Sequence, residues 1–156
     1  MADLGLDFVS NGQAFFCDLA PGSKGGLALD GTLRSAVLVS LFTDRRANAD
    51  DTLPDGGTDR RGFWGDIIAP DQLPEGSRRP LGSRLWLLAR EKQTDETRHR
   101  AEAYAAEALQ WLIDDGIAAA VTVRGEWVAR GVLALAIAIT RPGAVPERYT
   151  ELWRLA

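Results

Sequence analysis

Between residues 94 and 140 the hydrophobic period changes once, from 3.6 to 2, and this change restricts the fold more than any other feature. Thr94 is suited to cap a helix, and Asp95 and Glu96 to occupy its electropositive first turn. Ala101, Tyr104, Ala105, Ala108, Leu109 and Leu112 then recur at intervals of three and four, and Gly116 supplies a stop. In the following segment, IAAAVTVRGEWVARGVLALAIAIT, apolar residues alternate. Ile117, Val121 and Val123 share one face with Leu133, Leu135, Ile137 and Ile139, while Ala118, Ala120, Ala134, Ala136 and Ala138 lie on the other. A helix followed by a hairpin predicts an α+β fold, an antiparallel sheet with one long and one short helix packed on it. The small residues predict that the long helix packs on the alanine face.

In LRSAVLVSLFTD, Val37, Val39 and Leu41 alternate with Ala36, Leu38 and Phe42, which predicts an interior strand. LDFVSNGQAFFCDLA places Asn11-Gly12 between two β-type runs, a tight hairpin turn within a meander of strands in residues 1–32. GSRLWLLAREK predicts a short helix capped by Ser83, with Leu85, Trp86, Leu88 and Ala89 as its apolar positions and Arg90 and Lys92 near its C-terminal end. Glu96 with Arg100, and Arg98 with Glu102, are spaced to pair along the long helix. Residues 145–156, VPERYTELWRLA, fit either a helix with Pro146 in its first turn and Tyr149, Leu152 and Trp153 inward, or an edge strand. At 156 residues the chain suits one domain, 1–156, interrupted by the irregular segment 44–80, in which neither period persists.

Several classes of chemistry find no support. A net charge of −4 offers no basic footprint for nucleic acid. The apolar run GVLALAIAIT is about half the length of a membrane span, and MADLGLDFVSNG lacks the features of a secretory signal. Cys17 is the single cysteine and reads as a buried thiol; His99 is the single histidine and reads as a surface residue, so no metal site is expected. PGSKGG lacks the ending of a phosphate loop, and no Gly-x-Ser-x-Gly elbow occurs. Asp50, Asp51, Asp55 and Asp59 read as a solvated acidic loop, without the order of a calcium-binding loop. No cofactor and no catalytic residue are expected.

The irregular segment does contain an unusual cluster. DRRGFWGD sets Arg60, Arg61, Phe63, Trp64 and Asp66 together, with Trp86 shortly after. Large aromatics and arginine are the side chains that dominate protein–protein hot spots, so these six residues are the candidate interaction site, with Asp59 and Asp66 placed to hold the arginines. The alternative is a hydrophobic plug that tucks the loop onto the core.

The ordered series SLFTDRRAN, LPDGGTDRRGFWGD, GSRLWLLAREK, AEAYAAEALQWLIDDGIAAAVTV and GVLALAIAITRP resembles the small baseplate protein of phage Mu-like contractile tails, a family similar to the lysozyme-like baseplate wedge subunits of other contractile tails. The resemblance runs from about Leu33 to Pro142. It implies a structural wedge subunit of the virion tail, made in the bacterial host cytoplasm and held by other baseplate wedge proteins near the central spike and the start of the sheath. It implies neither nucleic-acid binding nor membrane insertion. The family label also raises a peptidoglycan hydrolase as the alternative, but no catalytic motif here matches residue by residue.

Overall fold

The computed structural model describes the backbone of residues 3–4, 6–10, 15–19, 29–30, 32–68 and 79–154, with side chains described for 32–66 and 79–154. The chain groups into two compact units, 1–39 and 40–156. In the first, β2 (Leu6–Ser10) pairs antiparallel with β3 (Phe15–Leu19), and β1 (Asp3–Leu4) pairs with β4 (Leu29–Asp30). The expected hairpin is present as β2–β3, but the expected meander is not formed: the four described strands make two separate two-stranded ladders. The hairpin's Asn11-Gly12 turn and the Cys17 side chain lie outside the described residues.

Residues Arg34–Phe42, expected as a strand, form a helix, α1. A run that is apolar on both sides suits a buried helix as well as a buried strand, and periodicity does not separate the two. The observed burial is helical. Val37, Leu38 and Leu41 are buried, whereas Val39 and Phe42 are partly exposed.

In the second unit, α3 (Asp95–Leu109) begins as expected, with the Thr94 hydroxyl accepting the Thr97 N–H at 3.1 Å. After the short α2 (Gly65–Ile68) in the irregular segment, and beyond α3, a last turn α4 (Trp111–Asp114) leads into Gly116. Arg98 pairs with Glu102 at 3.0 Å, but Arg100 pairs with Glu91 and not with Glu96. The sheet has the order β5 (Ala120–Ala129), β6 (Val132–Thr140), β7 (Glu147–Arg154), all antiparallel. The tail is therefore the edge strand of the two alternatives. Tyr149 and Trp153 lie on its partly buried side, while Leu152 faces out.

The helix packs on the opposite sheet face from the one expected. Leu133, Leu135, Ile137 and Ile139 are essentially fully buried, while Ala136 is exposed, and α3 lies against β5. Each large aliphatic side chain contributes about 1.5–3 kcal/mol on burial and an alanine methyl much less, so the larger residues take the covered face. The alanines of α3, Ala101, Ala105 and Ala108, are buried, and on the sheet side Gly125 makes room for the helix, since a Cβ there would lie 3.1 Å from Arg98 Cγ.

Polar contacts also fasten the layers: Trp127 Nε1 on β5 donates to Thr94 O at the start of α3 at 3.3 Å. Glu102 Oε1 accepts the Gly125 N–H at 2.8 Å, satisfying a backbone group on the edge strand β5. Burial opposes ionisation of this carboxyl. The Gly125 N–H, the His99 ring and the Arg98 guanidinium outweigh that and hold it below the ordinary carboxylate range.

Candidate functional site

The segment from Thr43 to Asp66 is irregular but firmly held. It starts with an isolated parallel bridge between Asp44 and Ser83, in which Arg45 N–H donates to Ser83 O and Ser83 N–H to Thr43 O, both at 2.9 Å. Gly82 makes this approach possible. Its φ is +101°, and a Cβ there would lie 2.2 Å from Thr43 O. Ser83 is not the helix cap expected. Its hydroxyl donates to Leu41 O at 2.5 Å and accepts the Leu85 N–H at 3.3 Å. Beyond it, Leu85–Leu88 form a 3-10 turn and not an α-helix, with all four side chains buried.

Arg84 is the central tie. Its guanidinium donates to both carboxylate oxygens of Asp51 at 2.9 and 3.0 Å, and to Glu107 Oε2 at 2.9 and 3.1 Å, while stacking 4.6 Å above the Tyr104 ring. Arg84 and Asp51 are well enclosed, with side chains 15% and 12% exposed. Burial disfavours the charge on Arg84, but the bonds and fields of Asp51 and Glu107 outweigh it, so the group is protonated more firmly than usual. The expected solvated acidic loop is in part a set of anchors. Asp51 holds Arg84 and accepts the Asn48 N–H, Asp55 accepts the Gly57 N–H, and Asp59 accepts the Arg61 N–H.

Arg60 folds back onto the loop, its guanidinium donating to the carbonyls of Asn48 and Ala49. Arg61 pairs with Asp44 at 2.7 Å and lies 4.5 Å above the Trp86 ring. It holds a φ of 49°, a left-handed conformation costing about 1–2 kcal/mol in a residue with a Cβ. Trp86 is 7% exposed and donates from Nε1 to Arg45 O at 2.8 Å, so it belongs to the core and serves as the platform for Arg61. Asp66 holds no arginine among the described residues. Its carboxylate accepts the Leu81 N–H at 3.3 Å, closing the far end of the segment.

Between these anchors the two aromatics part company. Phe63 is half-buried and folds over Gly65, where an added Cβ would meet the ring at 2.3 Å. Trp64, with its ring centroid 5.2 Å from that of Phe63, is 67% exposed. Trp64 is thus a large exposed indole on a segment tied at both ends. Among the described residues no group of three or more His, Cys, Asp or Glu is arranged to hold a metal ion, and no helix is long and apolar enough to cross a membrane. His99 is exposed beside Arg98 and Glu102.

The loop, the 3-10 turn, α3 and the β5–β6 hairpin all fall within residues 33–146, which match the family model described as phage protein GP46. The chain belongs to the phage protein GP46 family. Two relatives extend the match. It is 49% identical to the baseplate protein gp46 of Escherichia phage Mu over 126 residues, covering 76% of this chain and 81% of the relative. It is 37% identical to the Mu-like prophage FluMu protein gp46 of Haemophilus influenzae over 150 residues, covering 96% and 95%. All six candidate residues lie inside the GP46 match, whereas β7 lies just beyond it. The sequence reading missed Arg84, Asp51, Glu107 and Tyr104 as a set. Arg84 alone carried a signal, as a charged residue directly before the apolar run LWLL, where a buried arginine requires paired acids.

Proposed function

We propose that this chain is a structural subunit of a phage tail baseplate that acts by contact and not by catalytic turnover, with the Trp64 loop as one of its contacts. Support comes from the relative named as a baseplate protein of phage Mu. The observation that carries the loop assignment is the 67% exposure of Trp64 on a segment fixed by Arg61–Asp44, Arg84–Asp51 and Asp66–Leu81. Its backbone is ordered before a partner arrives, so little entropy is lost on docking. The finer reading is a wedge position in a contractile tail, with other baseplate components as partners and the central spike and sheath as neighbours.

The test is to tag the chain, induce the element that encodes it and analyse large particles by mass spectrometry. Recovery with baseplate and sheath proteins is expected, and recovery only as a free small protein would overturn the reading. Trp64→Ala should then weaken incorporation by at least about tenfold, the range of an interface hot spot.

A further inference from the structure

The side of the sheet turned away from α3 has a shape and charge of its own. Along β6 its floor is Ala134, Ala136 and Ala138. The register sets Ala138 between Thr122 and Arg148, Ala136 between Arg124 and Thr150, and Ala134 between Glu126 and Leu152. A row of methyl groups thus runs between two rows of longer side chains, making a shallow trough. Neighbouring strands are about 4.8 Å apart, so the rims on β5 and β7 stand roughly 9.6 Å apart, close to the diameter of one α-helix.

The rims are apolar in places and basic overall. Val128 and Leu152 are 53% and 49% exposed. Arg124, Arg148 and Arg154 are exposed and make no ion pair among the described residues, unlike Arg98 and Arg141, which are paired. Glu126 is the one acid on this face among the described strand residues, in a chain whose net charge is −4. Positive charge is therefore concentrated on the sheet face turned away from α3, where Ala136 is exposed and Ala134 buried between its neighbours.

We propose that this face docks an acidic amphipathic α-helix of a neighbouring baseplate protein, with small residues on the alanine floor and carboxylates against Arg124, Arg148 and Arg154. The proposal rests on the baseplate reading above and adds a second contact, separate from the Trp64 loop. A second copy of this chain is the wrong occupant, because two-fold pairing of the same face sets arginines against arginines.

Hydroxyl-radical footprinting of the free chain and of purified particles reads the face directly through Val128 and Leu152. Their oxidation should fall at least about fivefold in the particle. Arg124→Glu/Arg148→Glu and Ala136→Arg should keep the melting temperature yet enter particles at least about tenfold less, as expected for loss of charge and shape complementarity. A synthetic helical peptide with an alanine stripe flanked by glutamates should shift the amide resonances of Ala136 and Thr150, and bind about tenfold more weakly to the double variant. Absence of the wild-type chain from particles would overturn the baseplate reading and this proposal with it. Presence with Val128 and Leu152 as reactive as in the free chain, normal incorporation of the variants, or protection that rises with concentration of the free chain would overturn this proposal alone.

Discussion

Replacing Arg84 by methionine tests whether the irregular segment is held by its charge network. The substitution keeps an apolar stem of similar length and removes the guanidinium that bridges Asp51 and Glu107. Breaking a buried ion pair costs about 3–5 kcal/mol, because the remaining charge is left enclosed. Two features lower that figure. Glu107 is 34% exposed and keeps Arg45 at 3.3 Å, and Asp51 keeps the Asn48 N–H at 2.7 Å. Loss of the contact over Tyr104 adds about 0.5–1 kcal/mol. The expected destabilisation is about 2–4 kcal/mol, measured by urea denaturation of the purified chain. A cycle with Asp51→Asn should give a coupling of about 1–2 kcal/mol. Native-state hydrogen exchange should show faster exchange at the Ala47, Asp51 and Gly56 amides, whose acceptors lie within the segment. A loss below about 0.5 kcal/mol with no coupling would refute the claim that Arg84 fixes the segment, since that is the size of an exposed surface pair.

Gly82→Ala should be among the most damaging single changes, costing about 3 kcal/mol or more or preventing folding, because its Cβ would meet Thr43 O at 2.2 Å and φ is +101°; thermal melting checks it. Trp64→Ala should change stability by less than about 1 kcal/mol, the indole being 67% exposed, while reducing incorporation into particles. Unchanged melting together with normal incorporation would remove any role for Trp64. Glu102 gives a pH signature. Its pKa is lower in the folded chain than when unfolded, so its stabilisation is fully present above the unfolded pKa and is lost as pH falls through the folded one. Glu102→Gln should therefore lower stability at neutral pH and flatten its decline on acidification, as measured by denaturation across pH 7 to 3; an unchanged acid slope would contradict the assignment.

How far the sequence could be read depended on how each element is stabilised. The cap at Thr94, the core stripe of α3 and the hairpin were legible because each follows from nearest-neighbour chemistry and one period. α1 was misread because Val37, Leu38 and Leu41 form a buried helical face inside a run that also alternates. The covered side of the sheet was misassigned because small residues mark where a layer can approach, not where it gains most by doing so. The candidate site was half legible. Its residue types pointed to DRRGFWGD, but a sequence does not show that Trp86 is buried under Arg61, or that Asp66 reaches Leu81 in place of an arginine. Those contacts depend on chain closure across 15 to 25 residues, and the Arg84 tie spans 33 to Asp51 and 23 to Glu107.

The same arrangement explains why the segment carries so many charges with no long helix or strand to support them. A helix or sheet fixes its backbone by regular hydrogen bonds; this segment fixes it by side chains that accept or donate to particular amides and carbonyls, as Asp51, Asp59, Arg60 and Asp66 do. With Asp51, Asp59 and Arg60 engaged internally, those groups have little to offer a partner in polar bonding. Phe63 is drawn against Gly65, and Trp86 faces inward. What the segment presents is the exposed indole of Trp64, the contact proposed above, on a backbone held by its neighbours' ionic bonds. Association through it should consequently be less sensitive to salt than association through the arginine-rimmed face of the sheet.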